Sequence, residues 1–163
     1  MRAYLGNCFW LMLPVLAINL LFAGALPPML QSETFWRDIP MPLALAENLC
    51  RYAVTGLPAL MLLRLRTRRQ KVGLALYALG LLAYGFAWWP LITAPASGWS
   101  QSLLGLAAPA YTPALWLAGI GLIGFDLSST FRRWVSWAYL FAASGFVIAH
   151  VLHVALVAGR VLG

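Results

Sequence analysis

The sequence predicts an all-α integral membrane protein, a bundle of five transmembrane helices, and three observations predict it. Of the 163 residues, 63% are hydrophobic and only 9% are charged, too few ionised groups to coat a water-exposed surface of this size. The apolar residues fall into long runs near the ~20 residues that cross a bilayer as helix, and they lack the alternation of an outer-membrane barrel. The cations are grouped, five of eleven in RLRTRRQK at 64–71 and two more at Arg132 and Arg133, each group between apolar runs. Short loops rich in Lys and Arg stay on the cytoplasmic side. Topology and lipid headgroups thus account for the net charge of +7, and nucleic acid is excluded as a partner. The chain reads as a multi-pass protein of the cytoplasmic (inner) membrane, with the lipid bilayer as its first partner.

The first helix is expected over about 4–26, ended by Pro27 and Pro28. Its close, Ala23-Gly24-Ala25, has the small-x-small form of a signal-peptidase site, but the length of the run and Asn19 within it favour an uncleaved span. Residues 29–42, MLQSETFWRDIPMP, mix Glu33, Arg37 and Asp38 with Phe35 and Trp36, the composition of an amphipathic segment lying along the outer headgroups. A second helix, about 43–63, runs inward to the basic inner loop 64–71. A third, about 72–89, returns outward and stops at Trp88-Trp89-Pro90, because paired tryptophans mark an interface and proline interrupts a helix.

A fourth span is expected over about 103–125. Pro109 and Pro113 make it either one kinked helix or a short interfacial helix followed by a span. Ala110, Ala114, Ala118, Gly121 and Gly124 form a small-residue stripe along it, where a helix of this chain, a second copy or a partner membrane subunit can approach closely. A fifth helix, about 134–158, follows an inner turn in which Ser128 and Ser129 are available for capping. The N-terminus then lies inside and the C-terminus outside. Cys8 and Cys50 fall toward opposite ends of the first two helices, too far apart for a disulfide.

The second helix carries the polar groups. At ~100° per residue, Glu47, Arg51, Thr55 and Asn48 share one broad face, and Glu47 and Arg51 sit at i and i+4, where they can pair. A charge at mid-bilayer costs roughly 2.5–3.5 kcal/mol even on insertion scales, so this face should turn into the bundle or a wet cavity. The fifth helix puts His150, His153, Phe146, Tyr139 and Ser136 on one face. Counting ~1.5 Å per residue brings both clusters, with Asn19, Tyr84 and Trp88, to the same depth in the outer half.

The expected site is therefore an outward-facing polar and aromatic pocket lined by Glu47, Asn48, Arg51, Tyr84, Trp88, His150 and His153, binding or transporting a small ligand, with proton coupling open to the histidines. Glu47 and Arg51 merely neutralising one another is the plain structural alternative. A non-catalytic accessory or assembly subunit of a larger membrane complex is the second functional reading. His150, His153 and Glu47 are weak metal candidates, since histidines three apart on a helix can share an ion. No phosphate loop, nucleophile elbow, CxxC or HExxH occurs, so no cofactor is implied and an enzyme is the minority reading.

Overall fold

The computed structural model describes residues 6–162, and among these every regular element is helical. A 3₁₀ turn, Cys8–Leu11, leads into α1 (Met12–Ala23). A 3₁₀ turn, Pro28–Leu30, and the short α2 (Ser32–Phe35) make up the amphipathic connection to α3 (Met41–Gly56). After the basic loop come α4 (Arg68–Thr93), α5 (Leu103–Tyr111), α6 (Pro113–Gly124) and α7 (Thr130–Leu162). Three stretches are long and apolar enough to cross a membrane: Arg68–Thr93, Leu103–Gly124 and Thr130–Leu162, while Cys8–Ala23 is a shorter apolar helix.

Several boundaries differ from the sequence expectation, each for a local reason. The second helix does not run to residue 63: α3 gives way at Gly56 to a 3₁₀ turn, Leu57–Leu60, around Pro58, whose ring cannot share an α-helical bond. Pro90 does not stop the third helix. It sits inside α4, which continues to Thr93, and the Pro90 carbonyl accepts from Ala94 N at 2.9 Å and from Ser100 Oγ at 3.0 Å. The fourth run is two helices meeting at Thr112, as its prolines foretell. The fifth is 33 residues long, starts at Thr130 and absorbs the second half of the expected inner turn.

Caps explain the starts. Thr67 and Gln70 form a capping box at the head of α4, each satisfying a backbone N–H that the first turn leaves free. Ser102 caps α5 through Gly105 N at 3.0 Å, and Ser129 Oγ accepts from Arg132 N at 3.3 Å in the first turn of α7. In the turn before α7, hydrogen bonds from Ser128, with Arg132 adding its charge, hold the Asp126 carboxyl below the usual carboxylate range.

Packing is antiparallel between neighbours. Gly73 of α4 lies against Gly119 and Leu122 of α6, and Gly80 lies against Leu115 and Trp116. Without a Cβ at these positions, two backbones approach to where side chains would normally stand. On the other side α3 runs against α7, with Glu47 facing His150 and His153, and Cys50 facing Gly145. Three buried tyrosines staple elements through main-chain or side-chain acceptors: Tyr77 donates to Leu11 O at 2.6 Å, Tyr139 to Leu117 O at 3.1 Å, and Tyr84 to Asn19 Oδ1. At the end of the bundle that carries the basic loop, Gly6–Cys8 pairs with Met61–Leu63 in a short antiparallel exchange: Cys8 N donates to Met61 O and Leu63 N to Gly6 O, both at 2.8 Å.

The expected small-residue stripe is split. Ala110, Gly121 and Gly124 are buried, with Gly121 against Tyr139 and Leu140 and Gly124 against Met61 and Cys8, whereas Ala114 and Ala118 remain exposed. Cys8 and Cys50 are both free thiols.

Candidate functional site

At the end of the bundle away from the basic loop, one carboxylate of α3 joins that helix to α7 and, through His153, to the segment before α3. Glu47 is fully buried on the first half of α3. Its Oε1 accepts from Arg51, one turn on, and meets His150 Nδ1 at 2.9 Å; its Oε2 lies 2.6 Å from His153 Nδ1. The opposite nitrogen of His153, Nε2, donates to the carbonyl of Phe35 at 2.9 Å, tying α7 to the segment 28–40. Arg160 donates to the Phe35 and Arg37 carbonyls from the same side.

Aromatic rings enclose the cluster. Phe35 stacks on His153 with centroids 4.1 Å apart, Trp36 meets the same imidazole edge-on at 4.6 Å, and Phe146 stacks on His150 at 5.3 Å. The Arg51 guanidinium lies 5.4 Å from the Trp36 ring and 5.9 Å from the Phe146 ring, geometry in which the negative faces of the rings attract the cation.

In front of the cluster is a cavity of about 320 Å³ between α1, α3, α4, α5, α6 and α7. That volume is near the lower end of the ~300–1,000 Å³ range of ligand pockets. Its wall is mostly apolar, with polar groups from Asn19, Arg51, Thr55, Tyr84 and His150 and the indoles of Trp88 and Trp116. The Trp88 Nε1–H has the Tyr84 hydroxyl beside it, whereas the Trp116 Nε1–H is buried with no hydrogen-bond acceptor among the described residues. Such an orphan costs roughly 1–3 kcal/mol, and native proteins rarely leave one unexplained.

Of the residues that sequence nominated, Arg51, Tyr84, Trp88 and His150 line the cavity. Glu47 and His153 stand behind it: Glu47 bonds both Arg51 and His150, and His153 bonds the other oxygen of Glu47. Asn48 lies outside the lining and donates to Ala44 O of its own helix at 2.9 Å. Among the described residues no group of three or more His, Cys, Asp or Glu side chains is arranged to hold a metal ion. Sequence reasoning missed Phe35, Trp36 and Trp116. Phe35 contributes through its main-chain carbonyl, which leaves no trace in residue type, and Trp116 sits within a run read as smooth packing surface. Compared with protein-family models, curated proteins and solved structures, the chain matches none.

Proposed function

We propose that this is a five-span protein of the cytoplasmic membrane, N-terminus inside and C-terminus outside, whose outer-half cavity binds or transports a small ligand. The observation that carries the reading is the cavity itself: apolar walls, a few convergent polar groups and a buried indole N–H, that of Trp116, with no acceptor among the described residues. Pockets for small molecules have this composition, with the polar minority fixing orientation. The five-span count adds Cys8–Ala23 and the continuous path of α3 through Leu60 to the three longer stretches. The side assignment rests on the cation content of 64–71. The accessory-subunit alternative draws on the lateral groove where exposed Ala114 and Ala118 meet Ser144, Val147 and Ile148. It requires co-purification with another membrane protein in fixed ratio.

Topology is tested with single cysteines in a background carrying Cys8→Ala and Cys50→Ala. Arg66 and Ala96 are exposed at opposite ends of α4, so Arg66→Cys should label only from the cytoplasmic side and Ala96→Cys only from outside. Labelling of position 66 in intact cells would reverse the orientation.

The cavity is tested by filling it. Ala110 is buried in its wall, and Ala110→Phe should leave the bundle folded while occupying the ligand's space. In thermal unfolding of nanodisc-embedded protein against small neutral, anionic and cationic amphiphiles, at least one compound should raise the wild-type midpoint. Saturation at ~100-fold over Kd contributes about 2.7 kcal/mol, and a chain this size converts that to a rise of roughly 5 °C or more. The same compound should leave Ala110→Phe unmoved. Equal shifts in both proteins, or none in either, would remove the pocket reading.

A further inference from the structure

The hydrogen bonds around Glu47 fix a minimum number of protons. A carbonyl oxygen only accepts, so the 2.9 Å contact with Phe35 O requires a hydrogen on His153 Nε2. In a neutral imidazole the other nitrogen, Nδ1, would then be bare. Yet it lies 2.6 Å from Glu47 Oε2, and two lone pairs at that distance repel. A proton must therefore occupy the contact, on the imidazole or on the carboxyl. The same reasoning at Oε1, already accepting from Arg51, gives His150 a hydrogen on Nδ1 as the arrangement with fewest protons.

The charge follows by addition and does not depend on where the shared proton rests. Arginine contributes one positive charge, the carboxylate one negative, and the extra proton one positive. The cluster carries at least one net positive charge, and any other placement of hydrogens that satisfies both contacts makes it more positive. Among the described residues no second acid is paired with the cluster. Of the other three acidic side chains, Glu33 and Asp38 are exposed on the connecting segment, and Asp126 is at the far end, bonded to Arg132. Arg37 and Arg160, whose guanidinium donates to the Arg37 carbonyl, are also cations. Tyr84, facing the cluster from α4, donates to Asn19.

An uncompensated charge this far out of water is costly, and Arg51 and His150 present it to the cavity wall. The one orphan group on that wall among the described residues, Trp116 Nε1–H, is also a donor. Apart from Asn19, Thr55 and Tyr84, the rest of the lining, including Met12, Val15, Leu30 and Leu106, is largely apolar. We propose that the ligand is an amphiphilic monoanion. Its oxyanion is held at the Arg51 and His150 side, where the Trp116 indole N–H offers a further donor, and its hydrocarbon part fills the apolar wall. This deepens the pocket reading above and rests on it. At ~30 Å³ per displaced water, the cavity has room for roughly ten waters, which suits a medium-length carboxylate or the head and first carbons of an acidic lipid.

The experiment compares octanoate, octanol and octylammonium, which share one tail and differ in charge. Binding is read by equilibrium dialysis of the labelled compounds against phosphatidylcholine nanodiscs with and without the protein. Octanoate should bind at least tenfold more tightly than octanol, and octylammonium more weakly than both. Arg51→Gln should bring the octanoate-to-octanol ratio to about one. Trp116→Phe, which changes no charge, should weaken octanoate several-fold and octanol little, so the inference stays testable if the arginine variant fails to fold. Octanol or octylammonium binding as tightly as octanoate to wild type would overturn the anion assignment and leave the pocket standing; no protein-dependent binding of any of the three would overturn both. Adding phosphatidylglycerol to the discs identifies the source. Tenfold weaker octanoate binding there means an acidic lipid occupies the same site, and unchanged binding means a soluble anion.

Discussion

Glu47→Leu is expected to lower the stability of the folded protein by about 2–4 kcal/mol, below the top of the range for breaking a buried pair because the Arg51 side chain is 38% exposed, whereas Glu47→Gln costs less than about 1 kcal/mol. The difference follows from the proton count. In glutamine the amide oxygen can stand where Oε1 accepts from Arg51 and His150, and the amide N–H can donate to His153 Nδ1 where the shared proton now lies. Every bond is kept, with the net charge of the cluster. Leucine is close in volume but keeps none of them, and strands Arg51 and His153. Reversible unfolding of both variants in detergent, on the same scale as wild type, measures the gap. A Glu47→Gln loss as large as that of Glu47→Leu would mean that the ionised carboxylate itself is required, and the count of one extra proton would fall with it.

Gly80→Ala and Gly85→Ala, five residues apart on α4, should change stability with opposite signs. A Cβ at Gly80 would stand 2.4 Å from Trp116 N and 2.9 Å from Leu115 C, both backbone atoms of α6 that cannot turn aside. The helix-propensity gain of about 1 kcal/mol is then outweighed by overpacking at or beyond the upper end of the ~1–3 kcal/mol range, because two helices must separate. At Gly85 nothing lies within 4 Å, so alanine there should stabilise by up to about 1 kcal/mol. Thermal unfolding in nanodiscs gives both signs. Separation at Gly80 also moves Trp116, so binding in the cavity should weaken in that variant alone. A neutral Gly80→Ala would show that α4 and α6 do not meet as closely as described.

What could be read in advance depended on whether a feature is periodic. Helical spacing put Glu47 and Arg51 on one face and His150, His153, Phe146 and Tyr139 on another, and Glu47, His153, Phe146 and Tyr139 are buried. Depth counted along each span also brought Tyr84 and Trp88 to the level of Glu47, where they line the cavity with Arg51. Asn48 was less well placed, because a residue at the margin of a polar face can satisfy its amide on its own helix, as it does on Ala44. Pro90 was misread as a stop: a proline forbids one hydrogen bond, and the helix resumes when the neighbouring carbonyls find other donors. The meeting of Gly73 with Gly119, and of Gly80 with Leu115 and Trp116, was invisible, since glycine spacing in one helix acquires meaning only with the register of its partner. The Phe35 carbonyl had no side-chain signature at all.

The antiparallel exchange between Gly6–Cys8 and Met61–Leu63 sets an order of events during synthesis. Chains fold from the N-terminus as they emerge, but the start of α1 cannot be closed until residue 63 has been delivered. Between the two lie all of α1, the amphipathic segment and α3, so these must wait as a loosely held hairpin. The next residues to emerge are the five cations of 64–71. The clasp and the charges on which the proposed sidedness rests therefore arrive together, three of those charges in the first turn of α4. The first two helices can become a committed unit before the apolar body of α4 is available to pack against them.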